Sequence, residues 1–345
     1  MELTCPLPLN YQQIVMAHGG GGRLMQQLLT DIIQPIFNNS AIHAPHDSAS
    51  LMVGQQRLAF TTDSYVINPL IFKGGDIGKL AVCGTVNDLA MSGATPLFLS
   101  CALIIEEGLA IHTLETILNS MQSAASQAGV CIVTGDTKVV DNGKGDCLYI
   151  NTAGIGILEN NTDIHAGRIA LNDAVIISGD IARHGIAIML AREGLDFESD
   201  IVSDCALLSP LVADLINAGI TIHCLRDLTR GGLASCLIEL ASASDTHIQI
   251  EESAIIIQPP VASACELLGF DPLYIANEGC FALFLPKNQV SLALSILQKH
   301  AAGQYAAHIG AVKEAHGGGL VTLNNAMGIT RVLNLLSGEQ LPRIC

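Results

Sequence analysis

The chain alternates strand-like and helix-like apolar segments, and that alternation breaks once, in a charged, turn-rich stretch over residues 159–173. Each side of the break must bury its own apolar faces. At 345 residues the chain exceeds the size at which one core keeps growing, so two α+β domains are expected, over residues 1–165 and 166–336, with a short tail over 337–345. In the first half, apolar spacing predicts helices over 23–37, 76–92 and 114–127, and strands over 58–67, 96–106, 130–140 and 147–158. The second half starts afresh. Strands are predicted over 174–178, 220–225, 273–285, 308–312 and 319–323, and helices over 185–192, 207–218, up to 243, and from Pro259.

Half the residues are hydrophobic and only 14% are charged, which excludes a disordered or fibrous chain and fits a compact enzyme body. A formal charge of −16 excludes nucleic acid as a partner, because phosphate backbones need clustered Lys and Arg. Acid-rich sites suit Mg²⁺. The eleven cysteines are scattered, with no Cys-x-x-Cys pair and no zinc-ligand spacing, so a reduced cytosol is the expected home. The opening Met1-Glu2-Leu3-Thr4-Cys5-Pro6 has no basic or apolar signal segment, and no apolar run is long enough to cross a bilayer. A cytoplasmic protein is expected.

Several segments carry possible chemistry. His18 and the run Gly19, Gly20, Gly21, Gly22 precede a helix, so side-chain-free backbone there can approach phosphate; such a run also serves as a flexible leader. No Walker sequence occurs. Arg226-Asp227-Leu228 imitates a protein kinase loop, but Leu225 and Gly232 stand where its His and Asn belong, which excludes that class. Asp63, Asp76, Asp88, Asp136 and Asp227 interrupt apolar elements. Asp76, Asp136 and Asp227 each fit a cap or turn, yet jointly such carboxylates are costly to bury unless they share cations, and Mg²⁺ bridging nucleotide phosphates would offset the repulsion. Lys138, on the same strand face as Asp136, suits a phosphate or a carboxylate equally. Glu278 sits in the apolar setting Ala276-Asn277-Glu278-Gly279, where burial would raise its pKa; Glu278 and His18 are both candidate bases. Cys345 ends the chain, after Ser337-Gly338 and beside Arg343, so its thiol can act as a tethered substrate or be an ordinary frayed cysteine.

Taken in order, the segments HGGGGRLMQ, TTDSYV, GGDIGKLAVCGTVNDLAMSGATPL, AGVCIVTGDTKVV, RDLTRGGLA, DPLYIANEG and GEQLPRIC span almost the whole chain and resemble the HypE family of hydrogenase maturation proteins. That family lies within the aminoimidazole ribonucleotide synthetase-like (PurM-like) superfamily, which includes selenophosphate synthetase. Leu228 is a departure, since the family often has a smaller residue or proline there. The resemblance implies a two-domain PurM-like fold: an N-terminal domain that pairs into a dimeric β-barrel, a C-terminal α/β sandwich domain, and a mobile tail. It also implies a homodimer with ATP in clefts formed with the help of that dimer. A carbamoyltransferase, HypF, would load Cys345 as a thiocarboxamide, ATP-dependent dehydration would give a thiocyanate, and the cyano group would pass to iron on a HypC–HypD complex for [NiFe]-hydrogenase.

In that scheme Asp63, Asp88, Asp136 and Asp227 hold Mg²⁺, with Asp76 in support. Gly19 to Gly22, Asn87, Gly135 and Lys138 contact the nucleotide, and Glu278 or His18 is the base. The competing expectation is an ATP-dependent synthetase or kinase of the same superfamily acting on a free small molecule, like selenophosphate synthetase.

Overall fold

Two large sheets, with a small two-stranded one, organise the described residues. The computed structural model describes residues 11–37, 39, 41, 46–159, 161–194, 201–314, 317–336, 338, 341, 344 and 345. It opens with α1 (Arg23–Leu28) and α2 (Gln34–Phe37), joined by a π-helical turn. β1 (Ala49–Val53) and β2 (Gln56–Tyr65) form a hairpin, the short pair β3 (Ile71–Phe72) and β4 (Gly75–Asp76) follows, and α3 (Ile77–Met91) leads to β5 (Thr95–Glu106). α4 (Ile111–Ala128), β6 (Cys131–Val140) and β7 (Leu148–Leu158) complete a five-stranded sheet of order β1-β2-β7-β5-β6, antiparallel except for the β5–β6 pair.

The second sheet draws on β8 (Asp173–Ile177), β9 (Cys224–Asp227), β10 (His247–Glu251), β11 (Phe281–Pro286), β12 (Ala307–Lys313), β13 (Leu320–Asn324) and β14 (Thr330–Val332), in the order β14-β13-β10-β12-β8-β11-β9. Between them run α5 (Arg183–Glu193), α6 (Ser209–Asn217), α7 (Gly232–Ser244), α8 (Pro259–Leu268) and α9 (Val290–Leu297). β8 is buried on both faces: Val175 and Ile177 meet the α7 layer with Leu233 and Leu237, while Ala174 and Ile176 meet Leu211, Leu215 and Ile296 of α6 and α9. Burial on both sides is why this strand reads as a continuous apolar run rather than an alternating one.

α3 positions the site. Among its residues only Lys79 and Asp88 escape burial, because the helix is wedged between the first sheet and the second half. Leu80 and Val86 pack into the core shared with α4 and α5, whereas Ala90 and Met91 join the core under α6 and α9. A helix apolar all round belongs inside. Gly84 permits the close approach, since a Cβ there would overlap the Tyr65 hydroxyl. Hydroxyls tie the helix down: Thr85 Oγ1 lies 2.5 Å from Thr152 Oγ1 of β7, and the Thr152 hydroxyl is 3.2 Å from the Ala81 carbonyl.

Two expected strands fall elsewhere. In place of 220–225 the strand is Cys224–Asp227, with Ile220 and Ile222 buried in the connection before it. In place of 273–285 it is Phe281–Pro286, preceded by a 3₁₀ turn over Pro272–Tyr274. The Glu278 and Gly279 amides between them donate to the Asp204 carboxylate, both at 3.1 Å, so they are not free to pair with a neighbouring strand. β1, β10, β14 and α9 were not expected.

Candidate active site

Three carboxylates from three separate elements converge. Asp47 lies just before β1, Asp88 on α3 and Asp227 at the end of β9, and one oxygen from each lies within 4.8 Å of the others. The Thr61 hydroxyl of β2 sits 2.8 Å from Asp88 Oδ2, and Thr229 donates to Asp227 at 3.2 Å. Arg226 is the internal counter-charge, with Nε 2.8 Å from Asp47 Oδ1 and Nη2 3.1 Å from Glu239. One cation does not balance this set. Burial, and then the Asp227 charge, holds Asp88 well above the usual carboxylate range. Burial, then Asp47, pushes Asp227 up to about 7, and burial pushes Asp47 up to about 6 against the pull of Arg226. Asp47 Oδ2 is buried without a hydrogen-bond partner among the described residues. Three close carboxylates, one of which carries an orphaned oxygen, suit a hard divalent cation.

Beside this group opens a cleft of about 770 Å³, lined by His18, Gly19, Gly20, Ser64, Arg230 and Cys345 among others. The chain terminus is docked in it. Ile344 bridges Ile67 in antiparallel fashion, the Val66 amide donates to a main-chain carboxylate oxygen of Cys345 at 3.0 Å, and Leu341 and Ile344 are 6% exposed. Pro342 and Arg343 lie outside the described residues. Burial, then Glu278, pushes the Cys345 thiol up, with Arg230 opposing and Asp63 and Asp227 adding to the rise. Arg230 is itself raised, chiefly by Cys345.

Glu278 is buried, its Oε1 has no hydrogen-bond partner among the described residues, and burial, followed by the Asp227 charge, holds its carboxyl well above the usual range. Asp63 contributes to the electrostatics of Asp88, Glu278 and Cys345 from β2. His18 Nδ1 is engaged within its own 3₁₀ turn, accepting from the Val15 amide at 3.0 Å. The glycine leader packs on the Arg230–Gly231 loop: a Cβ on Gly21 would come within 2.8 Å of the Arg230 carbonyl oxygen, and Arg230 Nη1 donates to Gly19 at 3.3 Å.

Other expected site residues are engaged elsewhere. Asp76 is the N-cap of α3, accepting from the Gly78 and Lys79 amides at 2.8 and 3.1 Å, and is not in the three-carboxylate group. Asn87 is buried and holds the segment beyond Cys205, donating to the Ala206 carbonyl at 3.0 Å and accepting from the Leu208 amide at 2.8 Å. Asp136 and Lys138 form an exposed 2.5 Å ion pair on the edge strand β6, where Gly135 passes close to the Cys101 carbonyl. Leu228 is a core residue under α7 and leaves Asp227 within the group. Asp47, Arg230 and Asp204 escaped sequence reasoning. Asp47 sits in an irregular polar stretch that offers no periodic signal, whereas Arg226 and Arg230 bracket Asp227 in plain view.

Residues 45–158 match the AIR synthase related protein N-terminal domain and residues 172–322 the corresponding C-terminal domain. Carbamoyl dehydratase HypE of Rhizobium leguminosarum bv. viciae is 47% identical over 334 residues, spanning 96% of this chain and 95% of that protein. The chain belongs to the HypE family. Among solved HypE structures, one in complex with ATP is 43% identical with a TM-score of 0.82, covering 96% of this chain and all of the other. HypE in a HypE–HypF complex is 43% identical with a TM-score of 0.84, covering 90% and 99% respectively. The HypE fold is therefore the two-domain PurM-like arrangement of mixed helices and sheets described above.

Proposed function

We propose that the chain is an ATP-dependent carbamoyl dehydratase that acts on its own C-terminal residue, converting S-carbamoyl Cys345 to S-cyanocysteine. The observation that carries this is the docked terminus: Cys345 lies in the cleft, within electrostatic reach of Glu278, Asp63 and Asp227. In the first step the carbamoyl oxygen attacks the γ-phosphate of ATP, forming a C–O–P linkage and releasing ADP. The nitrogen then gives up its two protons, phosphate departs with the former carbonyl oxygen, and a C≡N bond is left on sulfur. Phosphorylation is needed because hydroxide leaves poorly from an amide carbon.

Asp47, Asp88 and Asp227 would hold Mg²⁺, which supplies positive charge to the phosphate oxygens as they transfer; Asp63 adds negative charge nearby, and Asp76 supports the set by fixing the start of α3. Arg230, with the backbone of Gly19 and Gly20, lines the cleft and would face the phosphates, with Gly21 and Gly22 completing that turn. Of the two bases left open by the sequence, Glu278 is favoured. Its Oε1 is buried near Cys345 with no hydrogen-bond partner among the described residues, whereas His18 Nδ1 is engaged by Val15. A carboxyl whose pKa is raised by burial is the stronger base.

Loading by HypF requires the tail to leave the cleft and return. Burying Leu341 and Ile344 contributes about 1.5–3 kcal/mol each, a scale on which docking stays reversible. A homodimer is favoured by the apolar surface of the first sheet, whose outer face exposes Phe60, Phe98, Ile104 and Ile155 and whose edge strand β6 exposes Val133 and Val139. Transfer of the cyano group to a HypC–HypD complex completes this reading. Among the described residues no helix is long and apolar enough to cross a membrane, in keeping with a cytoplasmic site of action. Intact-mass analysis of the carbamoylated protein tests the reading: with Mg·ATP the terminal peptide should lose one water, and retention of that water would overturn it.

A further inference from the structure

We infer that His184 is a positioning residue for the reaction, a neutral hydrogen-bond donor that latches the backbone of Ile344 and so fixes the place of Cys345 in the cleft. The inference rests on the carbamoyl dehydratase reading and adds to it the group that decides where the tethered substrate sits. The antiparallel bridge between Ile344 and Ile67 is of the kind in which the flanking residues exchange hydrogen bonds, with Val66 N–H meeting the Cys345 oxygen at 3.0 Å. The Ile344 carbonyl therefore points away from the Val66–Ile67 segment, into the protein. It meets His184 Nε2 at 2.6 Å. His184 lies on the first turn of α5, fully buried, with its ring edge-on to Phe72 at a centroid distance of 5.7 Å.

A carbonyl only accepts, so Nε2 must carry the proton. The neutral ring then has an acceptor at Nδ1, and Ser203 Oγ sits 2.8 Å from it. The serine hydroxyl donates there while accepting the Cys205 amide at 3.1 Å. Every donor in this line has one acceptor: Cys205 N–H to Ser203 Oγ, Ser203 O–H to His184 Nδ1, His184 Nε2–H to Ile344 O. Ser203 thus selects the tautomer that can hold the tail. Burial pulls the His184 pKa down, with Asp204 opposing, in keeping with a neutral ring.

The latch also sets the distance between substrate and base. Ser203 and Cys205 flank Asp204, whose carboxylate holds the Glu278 and Gly279 amides at 3.1 Å. Ser203 is itself fixed by its amide to the Lys73 carbonyl at 2.9 Å. One three-residue segment therefore anchors both the loop that carries Glu278 and the ring that holds Ile344. Moving His184 moves Cys345 relative to Glu278 without touching the carboxylates of Asp47, Asp88 and Asp227.

The test uses the full-length protein as His184→Phe, His184→Gln and Ser203→Ala. Two quantities are read: the rate at which iodoacetamide alkylates Cys345, by mass of the terminal peptide, and the single-turnover rate of water loss from S-carbamoyl Cys345 with saturating Mg·ATP. Loss of the donor in His184→Phe should raise alkylation by at least about fivefold and slow water loss by a similar factor. The ATP concentration giving half-maximal rate should be unchanged. His184→Gln, which can place an N–H near the Nε2 position, should restore most of both rates. Ser203→Ala, which keeps the ring but frees the tautomer, should raise alkylation by about two- to fivefold, and it carries the test should the Phe variant not fold. Unchanged alkylation in the folded Phe and Ser203→Ala variants overturns the latch, as does a Gln variant as loose as the Phe variant. Absence of water loss in the unsubstituted protein would instead refute the dehydratase reading, with the alkylation arm still reporting on the latch.

Discussion

Glu278 and the carboxylates around it are costly to bury as charges, and each consequence of that cost is measurable. Among the described residues no donor reaches Glu278 Oε1, and burial raises the carboxyl's proton affinity, so it is suited to take a proton from the carbamoyl nitrogen. Glu278→Gln keeps the shape and removes the base. Single-turnover water loss should fall by about 10²–10⁴-fold while the Mg·ATP thermal shift is retained; an unchanged rate would exclude Glu278 as the base. Asp47 and Asp227 are raised from 3.8 to about 6 and about 7, so the folded state binds more protons than the unfolded one across that interval. Stability of the metal-free protein should therefore be highest below pH ~4 as far as these groups are concerned, and decline as pH rises to ~7. Since Mg²⁺ competes with those protons, the stabilisation by Mg·ATP should grow over the same window. Thermal melts at stepped pH, with and without Mg·ATP, check both signs, and Asp227→Asn should flatten the decline. Of these residues, Asp88, Asp227 and Glu278 were readable because they interrupt apolar segments. Asp47 was not, because nothing local distinguishes a metal-facing aspartate from a loop aspartate in a polar stretch.

Among the elements, β6 and α3 carry opposite lessons. On the edge strand β6, Val133 and Val139 are 59% and 66% exposed, an unusual extent for valines unless another surface covers them. Val139→Glu should leave the protomer fold intact, with stability changed by about 0.5 kcal/mol or less, and shift the protein from dimer to monomer in light scattering. A dimer that survives the substitution would place the interface elsewhere. α3 was legible from its run of apolar residues, and the cap at Asp76 from the preceding glycines. The strand expected over 273–285 was misplaced because its apolar residues serve a 3₁₀ turn and a loop whose amides are claimed by Asp204, a pairing more than sixty positions away in sequence that no local pattern reports. β1, β10 and β14 were missed for a related reason: they owe their pairing to partner strands more than to a strong pattern of their own.

For the whole molecule, the two sheets matter because of what lies between them. α3 brings Asp88, β9 brings Asp227, and the segment before β1 brings Asp47, so the carboxylate group exists only when both halves are folded together. The chain terminus closes the same cleft from a third direction, held by Val66 on one side and His184 on the other. The family resemblance named the chemistry early, but the docked terminus is what connects it to particular atoms. Labelling the carbamoyl oxygen of Cys345 with heavy oxygen and weighing the phosphate released by Mg·ATP tests that connection most directly. Attack of that oxygen on the γ-phosphate predicts inorganic phosphate carrying one heavy oxygen for each thiocyanate formed; unlabelled phosphate, with the label lost to water, would contradict it.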